Sequence, residues 1–102
     1  MIYNMKISDI AKEVREGNLS KDRLESYYDD LTGLYAQLEE RMGELEKKEA
    51  IFLNECGEKT RAGAEMKWNI TVEGQESIET KHNIRALSKL LSSIKHRIYN
   101  TY

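Results

Sequence analysis

Between Leu24 and Cys56 the apolar positions repeat with a period of seven. Leu24, Leu31, Leu38, Leu45 and Phe52 form one row. Tyr28, Tyr35, Met42, Glu49 and Cys56 form a second, four residues after each member of the first. Nine of these ten positions are apolar or amphipathic, which is the a/d signature of a helix that buries one long seam. The pattern predicts a helix from Ser20 to about Cys56, roughly 55 Å long at ~1.5 Å per residue. Ser20 is a suitable N-cap, Asp22 supplies an acid in the first turn, and Leu19 and Leu24 are spaced for a hydrophobic staple. Tyr27 and Leu34 widen the stripe, so the helix needs more than one neighbour. Gly33 and Gly43 fall on the outward face, and Gly57 ends the helix.

A second helical seam runs through Ile84, Leu87, Leu91, Ile94 and Ile98, widened by Leu90. Stepping its register backwards meets Thr80, Ser77, Glu73, Ile70 and Met66. Two of these fit an apolar seam and three do not. The stretch AEMKWNITVEGQ, residues 64–75, also alternates with period two at Met66, Trp68, Ile70 and Val72, as a strand would. A strand needs a partner, and Tyr3, Met5 and Ile7 supply the candidate. The β-branched Ile70, Thr71 and Val72 and the Gly74 disfavour helix. The expectation is a return helix over about 60–99, capped by Thr60, with a kinked or unwound point near 69–75. Met66 and Ile70 would then hold the seam, and Trp68 would lie off it, free for a further layer or a partner. Ahead of both long helices, Ser8 to Glu16 reads as a short helix with Ile10 and Val14 on one face, stopped by Gly17-Asn18.

These elements predict an all-α single domain over 1–102: a long, coiled-coil-like antiparallel hairpin with a short N-terminal helix, self-associating into a bundle. Turning near residues 57–59, the hairpin would set the segment from Lys81 beside Ser20 to Leu34.

Composition sharpens this picture. The 102 residues contain no proline, and 33% are charged against 39% hydrophobic. Such a chain builds long helices around a thin core, and thin cores favour association with further copies. The net charge of -2 conceals a polarity. Residues 37–58 hold seven acids against three bases, whereas residues 81–102 hold five bases and no acid. The single Cys56 points to a reducing compartment. The opening MIYNMKISDI lacks the apolar run of a signal peptide, and no stretch approaches the ~18 apolar residues of a membrane span. A cytoplasmic location without membrane contact is expected.

The chemistry-bearing residue types form no persuasive constellation, so no catalytic residue, metal site or cofactor is expected. Glu79 and His82 have a spacing that carboxylate-bridged metal bundles use, but those need a second copy and two further glutamates. His82 and His96 lie too far apart for a ligand pair. GEKT, residues 57–60, lacks the upstream glycine of a phosphate loop and sits between helices. Cys56 has no activating base adjacent in sequence and reads as a core residue. Asn69-Ile70-Thr71 matches a glycosylation acceptor that a reducing compartment would not use. Lys81, Arg85 and Lys89 recur every four residues, a row that would track phosphates or balance the acidic helix. Tyr27, Tyr28 and Tyr35 cluster as in partly wet interfaces.

Gly57 to Thr60, Ala62 and Ala64, and the run Leu87 to Lys95 (L-x-x-L-x-x-S-x-K) carry a resemblance. Over its last two thirds the chain resembles a loose group of small phage-encoded proteins. In these, a long acidic helix, a short turn and an Ala-rich return helix precede a basic end. Trp68 and Val72-Glu73-Gly74 depart from the Ala/Glu-rich norm of that group. The resemblance implies a helical hairpin without an active site, encoded near phage recombination or replication genes or acting against host defence. The expected function is therefore binding: a host or phage protein partner, or a small ligand to be sequestered. The alternative is a single-stranded nucleic-acid accessory using Lys81, Arg85 and Lys89.

Overall fold

The structure is a computed structural model. It describes the backbone of residues 2–17 and 19–101 and the side chains of residues 7–17 and 19–100. Asn18 and the side chains of Tyr3 and Met5, all invoked above, lie outside the described residues. Four helices account for nearly all of what is described: α1 (Ile2–Glu16), α2 (Lys21–Glu55), α3 (Arg61–Asn69) and α4 (Val72–Thr101). No strand occurs among the described residues.

The heptad rows explain α2. Ser20 caps it, its hydroxyl accepting a hydrogen bond from the Arg23 amide at 3.2 Å. Leu24, Leu31, Leu38, Met42 and Leu45 are buried along its length. Cys56 closes the last turn through its amide on the Phe52 carbonyl, and Gly57 takes a φ of +76° that an L side chain resists. α2 and α4 pack along one another as an antiparallel hairpin measuring 57 × 21 × 19 Å. Leu87, Leu90 and Ile94 bring α4's contribution to the core. Tyr28, Tyr35, Ile84, Leu91 and Ile98 are half-buried on its flank, as is Phe52 near the far end of α2.

α1 is longer than expected and begins at Ile2, so the segment around Tyr3, Met5 and Ile7 is helix and no strand pairing forms. Ile7, Ile10 and Val14, at spacings of three and four, put one buried stripe against the hairpin. That gain outweighs the period-two reading of the same residues. Gly17, with φ +76°, turns the chain into α2. α1 therefore runs back beside the first half of α2 and the last half of α4, making three helices at that end. The other end has only α2, α4 and the short α3 laid against both.

The return segment is two helices. Thr60 caps α3 by accepting from the Gly63 amide at 3.1 Å. At the break, the Thr71 hydroxyl donates to the Trp68 carbonyl at 2.7 Å and accepts from the Gly74 amide at 2.9 Å. One side chain thus closes α3 and opens α4. The break corrects three side-chain assignments. Trp68 is 4% exposed and packs on Phe52 with ring centroids 5.6 Å apart, so it is not a free surface residue. Met66 and Ile70, expected on the seam, are 71% and 81% exposed. The physical reason is rotational. Ending the helix at Asn69 restarts the register, and Gly74 rather than Glu73 takes the inward position. Ser77 and Thr80 are buried where the backward register put them.

Gly74 is required by this joint. A Cβ there would fall 1.9 Å from the Trp68 carbonyl oxygen. The hairpin pairing is displaced by a few residues from the expected one. Arg41 meets Glu76, Met42 meets Ser77 and Lys48 meets Glu73. Lys81 consequently lies with Tyr35, Glu39, Met42 and Glu46, just past the expected stretch. Lys95, further along the basic segment, lies with Glu25, Tyr28 and Asp29, inside the Ser20 to Leu34 stretch expected for it. The break at residues 70–71 adds chain to the turn and shifts the partners.

Candidate binding groove and charged face

Tyr27, Leu34, Arg41 and Lys48 follow one another at seven-residue intervals on one flank of α2. α1 covers the first two. The Tyr27 hydroxyl donates to Glu13 of α1 and accepts from Arg23 at 2.8 Å. Glu13 is held below the usual carboxylate range, chiefly by the Tyr27 hydroxyl and further by Arg23. Past the start of α1, the same flank turns to carboxylates of α4. Arg41 grips Glu76 with two hydrogen bonds, Nε to Oε2 at 2.6 Å and Nη2 to Oε1 at 2.7 Å, and holds Glu44 at 2.9 Å. The bidentate bond holds the Glu76 carboxyl below its ordinary value, against a smaller opposing effect of burial. It raises the Arg41 guanidinium further, with Glu44 helping. Lys48 sits 2.7 Å from Glu73.

The Arg41–Glu76 pair borders an open groove of about 660 Å³ between α2 and the first turns of α4. Its floor is Leu38, Thr80 and Asn83; Gln37, Gln75 and Glu79 stand around it with the Arg41–Glu76 pair. Val72, 86% exposed, forms an apolar lip. Thr80 and Asn83 are each 6% exposed, yet neither side chain makes a hydrogen bond among the described residues. Neither the Thr80 hydroxyl nor the Asn83 amide is sealed from solvent, so water in the groove supplies their hydrogen bonds. Both line the groove, so whatever enters it can supply them.

The opposite flank of the hairpin has no third helix. There a groove of about 390 Å³ is lined by Tyr35, Glu39, Met42 and Glu46 of α2 and by Lys81, Ile84, Arg85 and Ser88 of α4. A smaller hollow of about 230 Å³ continues the face toward Lys95, Tyr28, Glu25 and Asp29. Lys81 and Arg85 are thus brought together, but beside glutamates. Lys89 is exposed and lines neither hollow. Trp68 lies apart from all three, inside the α3 joint.

Among the described residues, no three His, Cys, Asp or Glu side chains converge as a metal site would need. Glu79 faces the first groove while His82 is exposed. Cys56 is half-buried with its sulfur 3.7 Å from the Leu53 carbonyl. No described helix is long and apolar enough to cross a membrane.

Sequence reasoning missed Arg41, Glu76, Thr80 and Asn83. The signal for Thr80 was present: a polar residue at a position that the seam register makes internal. Asn83 gave none, because its neighbour Ile84 carries the seam. Arg41 was visible only as one more charge in an acidic helix. Comparison with known proteins finds no matching family model, no matching curated protein and no matching solved structure.

Proposed function

We propose that the chain is a non-enzymatic binding protein whose recognition surface is the groove between α2 and the first turns of α4. The observation that supports this is the pair of largely buried polar residues on its floor, Thr80 and Asn83. Their hydroxyl and amide make no hydrogen bond within the described residues and open to the groove. A hydroxyl and a carboxamide offer donors and acceptors to a polypeptide backbone or polar side chain entering from solvent. The Val72 lip, continued along the chain by the exposed Ile70 and Met66, adds apolar area beside them. This is the usual composition of a protein-binding site: a few polar groups that orient, and apolar surface that contributes affinity. Under the resemblance to small phage-encoded hairpins, the partner is a host or phage protein and the role that of an accessory or anti-defence factor.

The nucleic-acid alternative loses support from the same geometry. A phosphate chain following Lys81 and Arg85 would meet Glu39 and Glu46 across the groove, and like charges repel.

The test is affinity capture from infected-host lysate with tagged wild-type chain and a Thr80→Val/Asn83→Leu variant, read by mass spectrometry. The proposal expects a discrete protein retained by the wild type and lost by the variant. Equal retention by both would overturn it. So would co-purification of nucleic acid alone, released between low and moderate salt. A small molecule seen by native mass spectrometry in place of a protein would redirect the reading to ligand sequestration.

A further inference from the structure

We infer that the flank opposite α1 is a dimer interface with a second copy of this chain, in which α2 of each copy packs against α4 of the other about a two-fold axis parallel to the hairpin. This concerns a different face from the proposed recognition groove and stands independently of it.

The first argument is coverage. The long hairpin is amphipathic on both flanks. α1 lies on one of them, where Glu13 bonds Tyr27, while on the other Tyr28, Tyr35, Ile84 and Ile98 are half-buried at the edge of open hollows. A molecule 57 Å long and 21 Å wide has room on that face for the roughly 800 Å² per partner that a standard interface buries.

The second argument is charge. On the α1 side the charges, Glu79 excepted, are satisfied across elements of the chain: Arg23 with Glu13, Arg41 with Glu76, Lys48 with Glu73. On the open face Glu25 is paired with Lys21 and Glu39 meets the Tyr35 hydroxyl, but among the described residues no acid there is paired with a base of α4. Glu39, Glu46, Lys81, Arg85 and Lys95 line its hollows, and none forms an ion pair among the described residues. The acids lining these hollows all belong to α2 and the bases all belong to α4. The face is therefore split lengthwise, one edge negative and one edge positive.

That split selects the occupant and its orientation. Two copies face to face can be related by a two-fold axis lying along the hairpin or across it. An axis across the hairpin would set α2 on α2, acid against acid. An axis along it sets α2 on α4 at the same height, so Glu39 and Glu46 of one copy meet Lys81 and Arg85 of the other. A two-fold interface must be self-complementary, and here only the second arrangement is. Tyr28 and Tyr35 suit its centre, where an aromatic body can be buried while a hydroxyl stays wet.

The geometry makes a strict prediction about mixing. Glu39→Lys alone places a new base against bases across the axis, and Arg85→Glu alone places a new acid against acids. In a heterodimer of the two variants, the base introduced in one chain faces the acid introduced in the other. The second contact of that heterodimer pairs the native Arg85 of the first chain with the native Glu39 of the second. Inside each variant chain the local charge mismatch remains, so any recovery comes from the interface. All four samples are measured as full-length chains by analytical ultracentrifugation, with circular dichroism confirming equal helix content. The wild type is expected to sediment at twice 11.9 kDa at micromolar concentration. Each single variant is expected to dissociate at least tenfold more readily, and the equimolar mixture to regain the wild-type dimer. A wild type that remains monomeric at 100 micromolar would overturn the inference. Single variants that dimerise unchanged, or a mixture that stays as weak as its components, would do so equally.

Discussion

Gly74 carries more of the architecture than any side chain near it. Its position on α4 touches the carbonyl that ends α3, and a Cβ would fall 1.9 Å from that oxygen. The obstacle is backbone, so no rotamer change can relieve it. Gly74→Ala should destabilise the chain by about 3 kcal/mol, at the upper end for overpacking. Thermal melting would register a loss of roughly 15 °C. An unchanged melting temperature would mean that the joint opens freely. At Glu76 the expected effect depends on pH. Arg41 holds its carboxyl below the ordinary value of 4.5, so the pair stabilises the fold at neutral pH. That contribution is lost as pH falls through the lowered value, because the unfolded chain takes up the proton first. Urea midpoints measured between about pH 6 and pH 2 should fall more steeply for the wild type than for Glu76→Gln. Parallel curves would remove Glu76 from the acid response.

Among the elements, α3 is the one whose attachment rests on a single side chain. Its buried residues are Ala64 and Trp68, and Trp68 meets Phe52 at a tilt of 54°. Trp68→Ala should cost about 3 kcal/mol and release α3 while α2 and α4 remain paired. Hydrogen exchange would then show protection lost over residues 61–69 and kept over residues 24–45. Because the chain has one tryptophan, its fluorescence reports on this joint directly. A buried indole resists acrylamide; ready quenching in the wild type would contradict the packing. The elements also mark how far the sequence could be read. α2 was legible from end to end, because five heptads, a serine cap and a terminal glycine all agree. The break in the return segment was legible too, since Ile70, Thr71, Val72 and Gly74 each weaken helix. What that break does to facing was not legible. A register carried through it assigns Met66 inward and Trp68 outward. The real joint rotates the helix between them and reverses both. α1 was shortened for a similar reason: three alternating residues imitate a strand until Ile7, Ile10 and Val14 are seen against a core that only the fold supplies. The candidate site was the least legible. It depends on Thr80 and Asn83 being internal and unpaired, which no spacing along the chain encodes.

At the scale of the whole molecule, the two flanks of the hairpin differ in a way that bears on stability. The flank under α1 is closed by apolar contacts for half its length and then stops at a groove with a polar floor. A chain selected for stability alone would place leucine or valine there, as it does at Leu87 and Leu90 further along the same helix. Thr80 and Asn83 instead turn a hydroxyl and an amide toward water in the groove, with no hydrogen bond inside the described residues. They so forgo the apolar burial that a leucine or valine would contribute, about 1 kcal/mol. Sites that bind commonly show this exchange of stability for recognition. The sign of one substitution therefore separates function from structure. If the Asn83 amide serves only a partner, Asn83→Leu replaces a solvated amide with apolar surface, extends the apolar seam toward Leu38, and should raise the isolated chain's stability by about 1 kcal/mol. Its urea midpoint should rise with an unchanged slope, since the surface exposed on unfolding is nearly the same. If the amide instead holds the hairpin together, the midpoint falls. A rise combined with loss of partner capture would tie the groove to binding. A fall would assign Asn83 to the fold and leave the groove without its strongest argument.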